Sequence, residues 1–252
     1  MNNKIAVVTG ASRGLGRSIA LHLARKGAGV IGTYRSRADE AQSLVGEIES
    51  LGGHAVMIEL DVGDAGEFGA FKQRVCTKLA SKFQRERFDF LVNNAGIGLR
   101  ASFEETSEEQ LDQLLAIHVK APFLLSQALL PLIEDGGRIL NVSSGLARFT
   151  IPGYAAYAAA KGAVEVLTRY MAQELGPGGI RVNVIAPGAI ETDFGGGAVR
   201  DNPEVNAMIA RTVALGRAGL PDDVGGAVAA ILSDDFGWAN GIRIEVSGGQ
   251  NL

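Results

Sequence analysis

Cysteine is almost absent from this chain of 252 residues, because Cys76 is the only one. A single thiol forms neither an intrachain disulfide nor a metal site built from cysteines. The chain also has few histidines, His22, His54 and His118, and their spacing does not bring several metal ligands together. We therefore expect no disulfide framework and no bound metal.

An excess of charge of either sign is also missing. Lysine and arginine number 24 and aspartate and glutamate 28, which gives a net charge of −4. Such a surface has no overall attraction for nucleic acids or anionic lipids. No uninterrupted apolar run approaches the ~18 residues of a membrane span, and the first residues carry no signal-peptide pattern. We expect a cytoplasmic protein with neither nucleic-acid nor membrane partners.

The composition is that of a folded domain rich in glycine. Hydrophobic residues make up 46% and charged residues 21%, which excludes intrinsic disorder. The 34 glycines are about twice the usual share of roughly 7%, whereas there are only 7 prolines. The length suits one α/β domain that covers residues 1–252.

Short apolar runs alternate with helical patterns along the whole chain. Several runs are apolar on consecutive residues, which is typical of parallel strands covered on both faces. The predicted strands are 5–9, 30–34, 55–60, 88–92, 138–142, 182–185 and 242–246. The predicted helices are 17–26, 38–51, 67–83, 108–133, 155–175 and 222–232. This alternation predicts a single-domain, doubly wound Rossmann-type α/β fold with a parallel sheet of about seven strands.

One stretch, residues 191–219, has no such pattern and contains three consecutive glycines near its start. It predicts a long, loose excursion before the last helix. Excursions of this kind often serve as substrate lids, and we expect that role here.

A glycine-rich loop follows the first predicted strand, in the sequence Thr9-Gly10-Ala11-Ser12-Arg13-Gly14-Leu15-Gly16. A helix begins directly after it. Free N–H groups and the helix dipole at such a turn favour a phosphate, and glycines allow it to approach closely. The spacing differs from G-x-G-x-x-G, and a tight turn without any ligand is the alternative.

This loop resembles the cofactor motif of the short-chain dehydrogenase/reductase family, and further motifs of that family follow in order over essentially the whole chain. They are Leu60-Asp61-Val62, Asn93-Asn94-Ala95-Gly96, Ser144, Tyr157-Ala-Ala-Ala-Lys161, Pro187-Gly188-Ala189-Ile190-Glu191-Thr192 and Ser247-Gly248-Gly249. Each motif is weak alone, but their joint occurrence is specific. Within the family the chain is similar to 3-oxoacyl-acyl-carrier-protein reductases.

Tyr157 and Lys161 are the residues best suited to acid–base chemistry. Four residues apart, they share one helix face, and the lysine charge would favour the phenolate of a tyrosine whose ordinary pKa is about 10. The resemblance implies that Tyr157 exchanges the proton, that Lys161 also binds the nicotinamide ribose, and that Ser144 polarises the substrate carbonyl. Tyr154 and Ser143 are neighbours that chemistry alone does not exclude.

His118 departs from the family, which usually has asparagine at this place. Pro122 has no N–H, so the carbonyl of His118 loses its helical donor and could hold a water. The resemblance implies that such a water links Lys161 to solvent. We expect the backbone to serve this relay, with a purely structural histidine as the alternative.

The second predicted strand ends without the carboxylate that NAD enzymes of this type place there. Arg35 and Ser36 stand there instead, and Arg13 adds a second cation, which favours the 2′-phosphate of NADP(H). The alternative for Arg35 is a solvated turn. The cofactor-binding residues that we predict are Gly10, Ser12, Arg13, Gly14, Leu15, Gly16, Arg35, Ser36, Asp61, Val62, Asn93, Ala95, Gly96, Tyr157, Lys161, Pro187, Gly188, Ile190 and Thr192.

The resemblance implies an NADP(H)-dependent oxidoreductase that acts on a small-molecule carbonyl or alcohol, with a 3-oxoacyl compound or a related ketone as substrate. The rivals are a sugar or cyclic alcohol dehydrogenase, and a non-catalytic nucleotide-binding protein of the same fold. The resemblance also implies a homotetramer, assembled through helices 108–133 and 155–175 and through residues 246–252.

Overall fold

A single sheet of seven parallel strands forms the centre of the computed structural model, which describes all residues from Met1 to Leu252. The strands are β1 (Ile5–Val8), β2 (Gly29–Tyr34), β3 (Ala55–Glu59), β4 (Phe88–Asn93), β5 (Ile133–Val142), β6 (Arg181–Pro187) and β7 (Arg243–Val246). Their spatial order is β3-β2-β1-β4-β5-β6-β7. The predicted seven-stranded, doubly wound fold is confirmed.

Helices cover both faces of the sheet. They are α1 (Gly14–Arg25), α2 (Ala38–Ser50), α3 (Phe68–Lys78), α4 (Glu108–Leu115), α5 (Ala121–Leu129), α6 (Ala155–Leu175), α7 (Ala198–Asp201), α8 (Pro203–Thr212) and α9 (Pro221–Ile231). On β1, Ala6 and Val8 belong to a core with α1, α2 and α9, whereas Ile5 and Val7 belong to a second core with α3, α5 and α6. This alternation explains why the strand is apolar at every position.

The helix predicted over 108–133 is interrupted. One π-helical turn, Ala116–Lys120, separates α4 from α5, and the N–H of Ala121 donates to the carbonyl of Ala116. Pro122 accounts for this turn, because it removes the donor that an α-helix would give to the carbonyl of His118. A short 3-10 turn follows α5, and β5 then begins at Ile133, earlier than predicted.

The segment 191–219 is more ordered than the sequence predicted, since it contains α7 and α8. Asn202 starts α8, because its side-chain oxygen accepts from the N–H groups of Glu204 (2.9 Å) and Val205 (3.2 Å). Ile209 and Val213 are buried in a small apolar cluster of their own. The expectation of a wholly loose excursion was wrong because capping and this local cluster stabilise two helices.

Glu108–Leu132 is long and apolar enough, by length and composition alone, to cross a membrane. Uninterrupted apolar runs do not reveal this stretch as a possible membrane span, because polar residues interrupt it. Leu125 and Leu129 from this stretch are buried against the sheet, as expected for a core helix of an α/β domain.

Candidate active site

The site residues converge at the carboxyl ends of the central strands. β1 and β4 are neighbours in the sheet although β2 and β3 lie between them in the chain. The direction of winding therefore reverses between β1 and β4, and open α/β sheets bind ligands at such a reversal. The glycine loop follows β1, Asn94 to Gly96 follow β4, Ser144 follows β5, and residues 188–192 follow β6.

The glycine loop is shaped for close approach by a phosphate. Gly10 and Gly14 have positive φ angles of 65° and 54°, and a side chain at Gly16 would overlap the carbonyl oxygen of Gly10. Helix α1 begins at Gly14, and the side chain of Arg13 does not cap it. The first N–H groups of α1 are therefore available to a pyrophosphate, and the loop fits the predicted nucleotide.

Asn94 is a site residue that the sequence reasoning did not select. Its Nδ2 donates to the carbonyl oxygens of Thr9 (2.9 Å) and Gly10 (3.3 Å). The hydroxyl of Thr9 accepts from the N–H groups of Asn94 (2.9 Å) and Ala95 (3.0 Å). These bonds hold the glycine loop to the end of β4, and the only sequence signal for them was the Asn-Asn pair.

The side-chain nitrogen of Asn93 is hydrogen-bonded within the protein. Its side chain is buried, and Nδ2 donates to Ser126 Oγ (3.0 Å) and Asn141 Oδ1 (2.8 Å). Asn141 in turn donates to Thr168 Oγ1 at 2.9 Å. The amide nitrogen of Asn93 therefore ties β4 to β5 and to α5, and the contact of Asn93 with the cofactor stays a prediction.

An open cleft lies between the glycine loop and the start of α2, on either side of the turn that carries Arg35 and Ser36. Arg35 and Ser36 are exposed just after β2, whereas Arg37 pairs with Glu40 at 3.0 Å. The Asp61 carboxylate is oriented by the N–H of Gly63, which donates to Oδ1 at 2.8 Å. The cleft is lined by Ser12, Arg13, Gly14, Arg17, Asp39, Glu40 and Ser43.

The segment after β6 is fixed in place beside the glycine loop. The N–H of Gly188 donates to the carbonyl of Val246 (3.1 Å), and a side chain at Gly188 would crowd Ser247. A side chain at Gly14 would lie 3.6 Å from Thr192, so the two predicted cofactor segments contact each other. Ile190 packs over Gly219 and against the core.

Tyr157 and Lys161 lie on α6 and are almost fully buried, with exposed fractions of 6% and 5%. Lys161 Nζ donates to the carbonyl of Val142 at 2.7 Å and lies 5.7 Å from the centre of the Tyr157 ring. Burial lowers the pKa of Lys161 to about 7. Burial also raises the pKa of Tyr157, while the neighbouring Ser144 hydroxyl opposes that rise by hydrogen bonding. Proton exchange by this phenol therefore depends on the charges placed beside it.

The two alternative residues have other positions. Ser143 is buried and its hydroxyl donates to Glu165 Oε1 at 2.6 Å, away from the phenol. Tyr154 precedes α6, and its ring centre lies 6.4 Å from that of Tyr157. Ser144 is thus the serine whose hydroxyl stands beside the Tyr157 phenol.

A half-buried group of ion pairs supports the loop that carries Ser144. Arg243 pairs with Glu165 (2.7 Å) and Glu245 (2.7 Å), and a guanidinium nitrogen donates to the carbonyl of Ser144 at 3.4 Å. No pattern in the sequence indicates this contact, since Arg243 lies far from Glu165 and Ser144 in the chain.

The imidazole of His118 braces the loop after β4. Only 1% of the residue is exposed, and Nε2 donates to the carbonyl of Ile97 at 2.9 Å, which assigns the proton to Nε2. The ring also meets Tyr157 edge to face, with centres 5.2 Å apart. Burial, and next the charge of Lys161, lower the pKa of His118 to about 3. The imidazole is therefore neutral at physiological pH.

This neutrality gives a testable result for the pH–rate profile. We expect wild type and His118→Asn to give superimposable profiles, because no histidine titrates in the working range. His118→Ala should lose about 1–3 kcal/mol of unfolding free energy, since the Ile97 carbonyl loses its donor. Steady-state rates from pH 5 to 9 and chemical denaturation measure the two effects. An acidic limb present in wild type and absent from His118→Asn would contradict the assignment.

These observations define a class of protein. A nucleotide-shaped glycine loop at the reversal point of a parallel sheet stands beside a buried tyrosine, lysine and serine. That combination is typical of an oxidoreductase that uses a nicotinamide nucleotide.

Comparison with known proteins identifies the family. The sequence profile of a family described as "Enoyl-(Acyl carrier protein) reductase" matches residues 10–251. The chain therefore belongs to this family of short-chain dehydrogenases/reductases, and it is an NAD(P)-dependent enzyme. Among curated relatives, a hydroxynaphthalene reductase-like protein, Arp2, of Metarhizium brunneum is 35% identical over 98% of this chain and 94% of the relative.

Two solved structures extend the comparison. The promiscuous reductase LugOII, which catalyses keto-reduction at C1 in lugdunomycin biosynthesis, has a TM-score of 0.95 and 40% identity, covering 100% of this chain and 99% of that one. The angucycline C-6 ketoreductase LanV with bound NADP has a TM-score of 0.94 and 36% identity, covering 99% and 96%. LanV is also solved with NADP and rabelomycin. The cofactor of the present chain is NADP(H), and its chemistry is NADP-dependent carbonyl reduction.

Proposed function

We propose that this protein reduces a ring ketone of a small molecule with NADPH, and that Tyr157, Lys161 and Ser144 carry out the proton transfer. The observation that carries the proposal is the meeting of these three side chains beside the glycine loop. Tyr157 and Lys161 are both buried, and Ser144 lies next to the phenol.

NADPH supplies the hydride when it is bound. Ser144 donates a hydrogen bond to the ketone oxygen, where negative charge develops. Tyr157 gives its proton to that oxygen, and the ammonium of Lys161 stabilises the phenolate left behind. Ser144 and Tyr157 thus act on the same atom, which requires the hydroxyls to lie side by side.

The substrate class is supported by what similar proteins reduce. A hydroxynaphthalene reductase-like protein, the keto-reducing enzyme LugOII and the angucycline C-6 ketoreductase LanV are 35–40% identical to this chain. Two aromatic rings also flank the phenol of Tyr157, with ring centres 6.4 Å away for Tyr154 and 5.7 Å away for Phe194. Both facts favour a cyclic ketone over a 3-oxoacyl thioester, which was the first expectation from the sequence.

A substrate panel tests the proposal. NADPH oxidation should be followed by absorbance with bicyclic ketones, a 3-oxoacyl thioester, sugars and cyclic alcohols. Turnover confined to bicyclic ketones supports the proposal, and turnover confined to the thioester or to sugars overturns the substrate class. NADPH binding without turnover of any member would also overturn the ring-ketone substrate class.

Arg35 is proposed to bind the 2′-phosphate of NADP(H), because it is exposed in the turn between β2 and α2 whereas Arg37 is paired with Glu40. Charge-assisted hydrogen bonds contribute roughly 1.5–3 kcal/mol, so Arg35→Ala should weaken NADPH binding about 10–100-fold. NADH binding should stay nearly unchanged. Fluorescence titration with both nucleotides measures this, and Arg37→Ala is the matched control. Equal weakening of both nucleotides would show that Arg35 does not contact this phosphate.

We also propose a homotetramer. Only 39% of the most apolar 18-residue stretch within Glu108–Leu132 is buried in the single chain. Apolar side chains exposed on α4, α5 and α6 are Leu111, Leu115, Phe123, Val166 and Tyr170. Light scattering should give a mass of four 26.3-kDa chains, and Val166→Asp should reduce it. A monomeric wild type would exclude this assembly.

A further inference from the structure

The lid residue Phe194 lies directly over the proposed proton donor. Its ring centre is 5.7 Å from that of Tyr157, with the planes tilted by 59°. Phe194 itself is 43% exposed, whereas Tyr157 beneath it is only 6% exposed. A ketone that approaches the phenol from this side therefore meets the Phe194 ring.

Gly98 provides the space in which that ring lies. A Cβ atom at Gly98 would stand 2.6 Å from Phe194 Cε1 and 2.9 Å from Cζ. Gly98 does not have a positive φ angle, so the glycine is required here for space and not for backbone conformation. Any side chain at position 98 would displace the Phe194 ring from Tyr157.

The backbone on both sides of Phe194 combines an anchor with a hinge. On one side, the N–H of Phe194 donates to Thr192 Oγ1 at 3.2 Å, and Asp193 pairs with Arg13 (3.5 Å) and with Arg200. On the other side, the exposed Gly195 and Gly196 have positive φ angles, and side chains there would meet nothing within 4 Å. Glycines in such open positions allow the chain to rotate at little steric cost.

We infer that Phe194 is a specificity-determining residue that selects flat, fused-ring ketones by stacking, in a position that Gly98 makes possible. The inference rests on the proposed function. A planar substrate replaces the Phe194–Tyr157 ring contact with its own contact to Phe194. A saturated ring presents no π face and does not regain it.

Two ketones with the same two-ring skeleton test this inference. 2-Tetralone carries a flat aromatic ring, and 2-decalone is fully saturated. For wild type, kcat/KM should be higher for 2-tetralone. Phe194→Ala should lower kcat/KM for 2-tetralone about tenfold, mainly through KM, and change that for 2-decalone less than about twofold. Phe194→Tyr should retain the preference, and Phe194→Leu should lose it.

Gly98→Ala is the second test, because it leaves Phe194 in the chain but fills the space in which the Phe194 ring lies. We expect the same selective loss for 2-tetralone. Phe103→Ala is the matched control, since Phe103 is 86% exposed and forms no ring contact with Tyr157. Calorimetric binding of 2-naphthol to the enzyme–NADP⁺ complex gives a readout without turnover, and it should weaken in Phe194→Ala and Gly98→Ala but not in Phe103→Ala.

The outcomes separate this inference from the proposed function. If wild type reduces both ketones and Phe194→Ala keeps the 2-tetralone to 2-decalone ratio, the role of Phe194 is wrong and the proposed function stands. If wild type binds NADPH but reduces no ring ketone, both are wrong. Intact NADPH binding and an unchanged thermal midpoint show that each variant is folded.

Discussion

Replacing Tyr157 by phenylalanine should lower kcat for ketone reduction about 10²–10⁴-fold, because the proton donor is lost while the ring is kept. The ring contact with His118, at 5.2 Å, and that with Phe194, at 5.7 Å, do not involve the hydroxyl. The fold and the affinity for NADPH should therefore remain nearly unchanged. Single-turnover rates with saturating NADPH measure the effect directly.

Tyr154→Phe is the control for this variant. Tyr154 stands just before α6, and its ring centre lies 6.4 Å from that of Tyr157. We expect Tyr154→Phe to keep kcat within about threefold of wild type, because the proton transfer itself is untouched. An inactive Tyr154→Phe variant together with an active Tyr157→Phe variant would show that Tyr154, and not Tyr157, is the proton donor.

Lys161→Met should also reduce turnover strongly. A unit charge 5.7 Å from the phenolate ring contributes about 3 kcal/mol at an effective dielectric constant of about 20, which corresponds to roughly 100-fold in rate. Methionine fills a similar volume without the charge. Loss of turnover with an unchanged thermal midpoint or a raised one would identify the charge, and not packing, as the contribution.

The pH dependence follows from the same residue. Because burial lowers the pKa of Lys161 to about 7, its ammonium is present below pH 7 and is lost above it. The rate of ketone reduction should therefore fall as pH rises through about 7 in wild type and in His118→Asn. In Lys161→Met this limb should be absent. A limb that persists in Lys161→Met would have to belong to another group.

Protein stability should respond in the opposite direction to activity. An unfolded lysine stays protonated up to pH ~10.4, whereas folded Lys161 loses its proton from about pH 7. Between these values the unfolded state binds more protons, so this residue makes the free energy of unfolding rise with pH. Lys161→Met should remove that slope and raise stability near pH 7. Denaturation by urea at pH 7 and at pH 9 tests both statements.

Local signals in the chain were sufficient for the sheet and for the motifs. Short apolar runs alternating with helical patterns predicted the seven strands, and several of these runs are apolar on consecutive residues because the strands are buried on both faces. Pro122 predicted the disturbed helix around His118, because a proline removes a hydrogen bond wherever it stands. The order of the motifs along the chain was enough to indicate the family and its NADP(H).

The directions of individual side chains and the helices within residues 191–219 could not be predicted from local signals. The side-chain nitrogen of Asn93 ties β4 to β5 at Asn141, whereas that of the neighbouring Asn94 holds the glycine loop. Successive residues of a strand point to opposite sides, and the partners that decide between them lie far away in the chain. The helices within residues 191–219 depend on the Asn202 cap and on a small local core, and both leave only a weak periodic signal in the sequence.

The sequence by itself determined the strand order along the chain, the anion-binding loop and the residue types able to exchange a proton. The tertiary structure decided which of those residues meet. Burial, a property of the folded surroundings, lowers the pKa of Lys161 to about 7 and that of His118 to about 3. The separation of Ser144 from Ser143, and the position of Phe194 over Tyr157, likewise depend on contacts between segments that are distant in the chain. Such contacts form only when the sheet brings the carboxyl ends of its strands together.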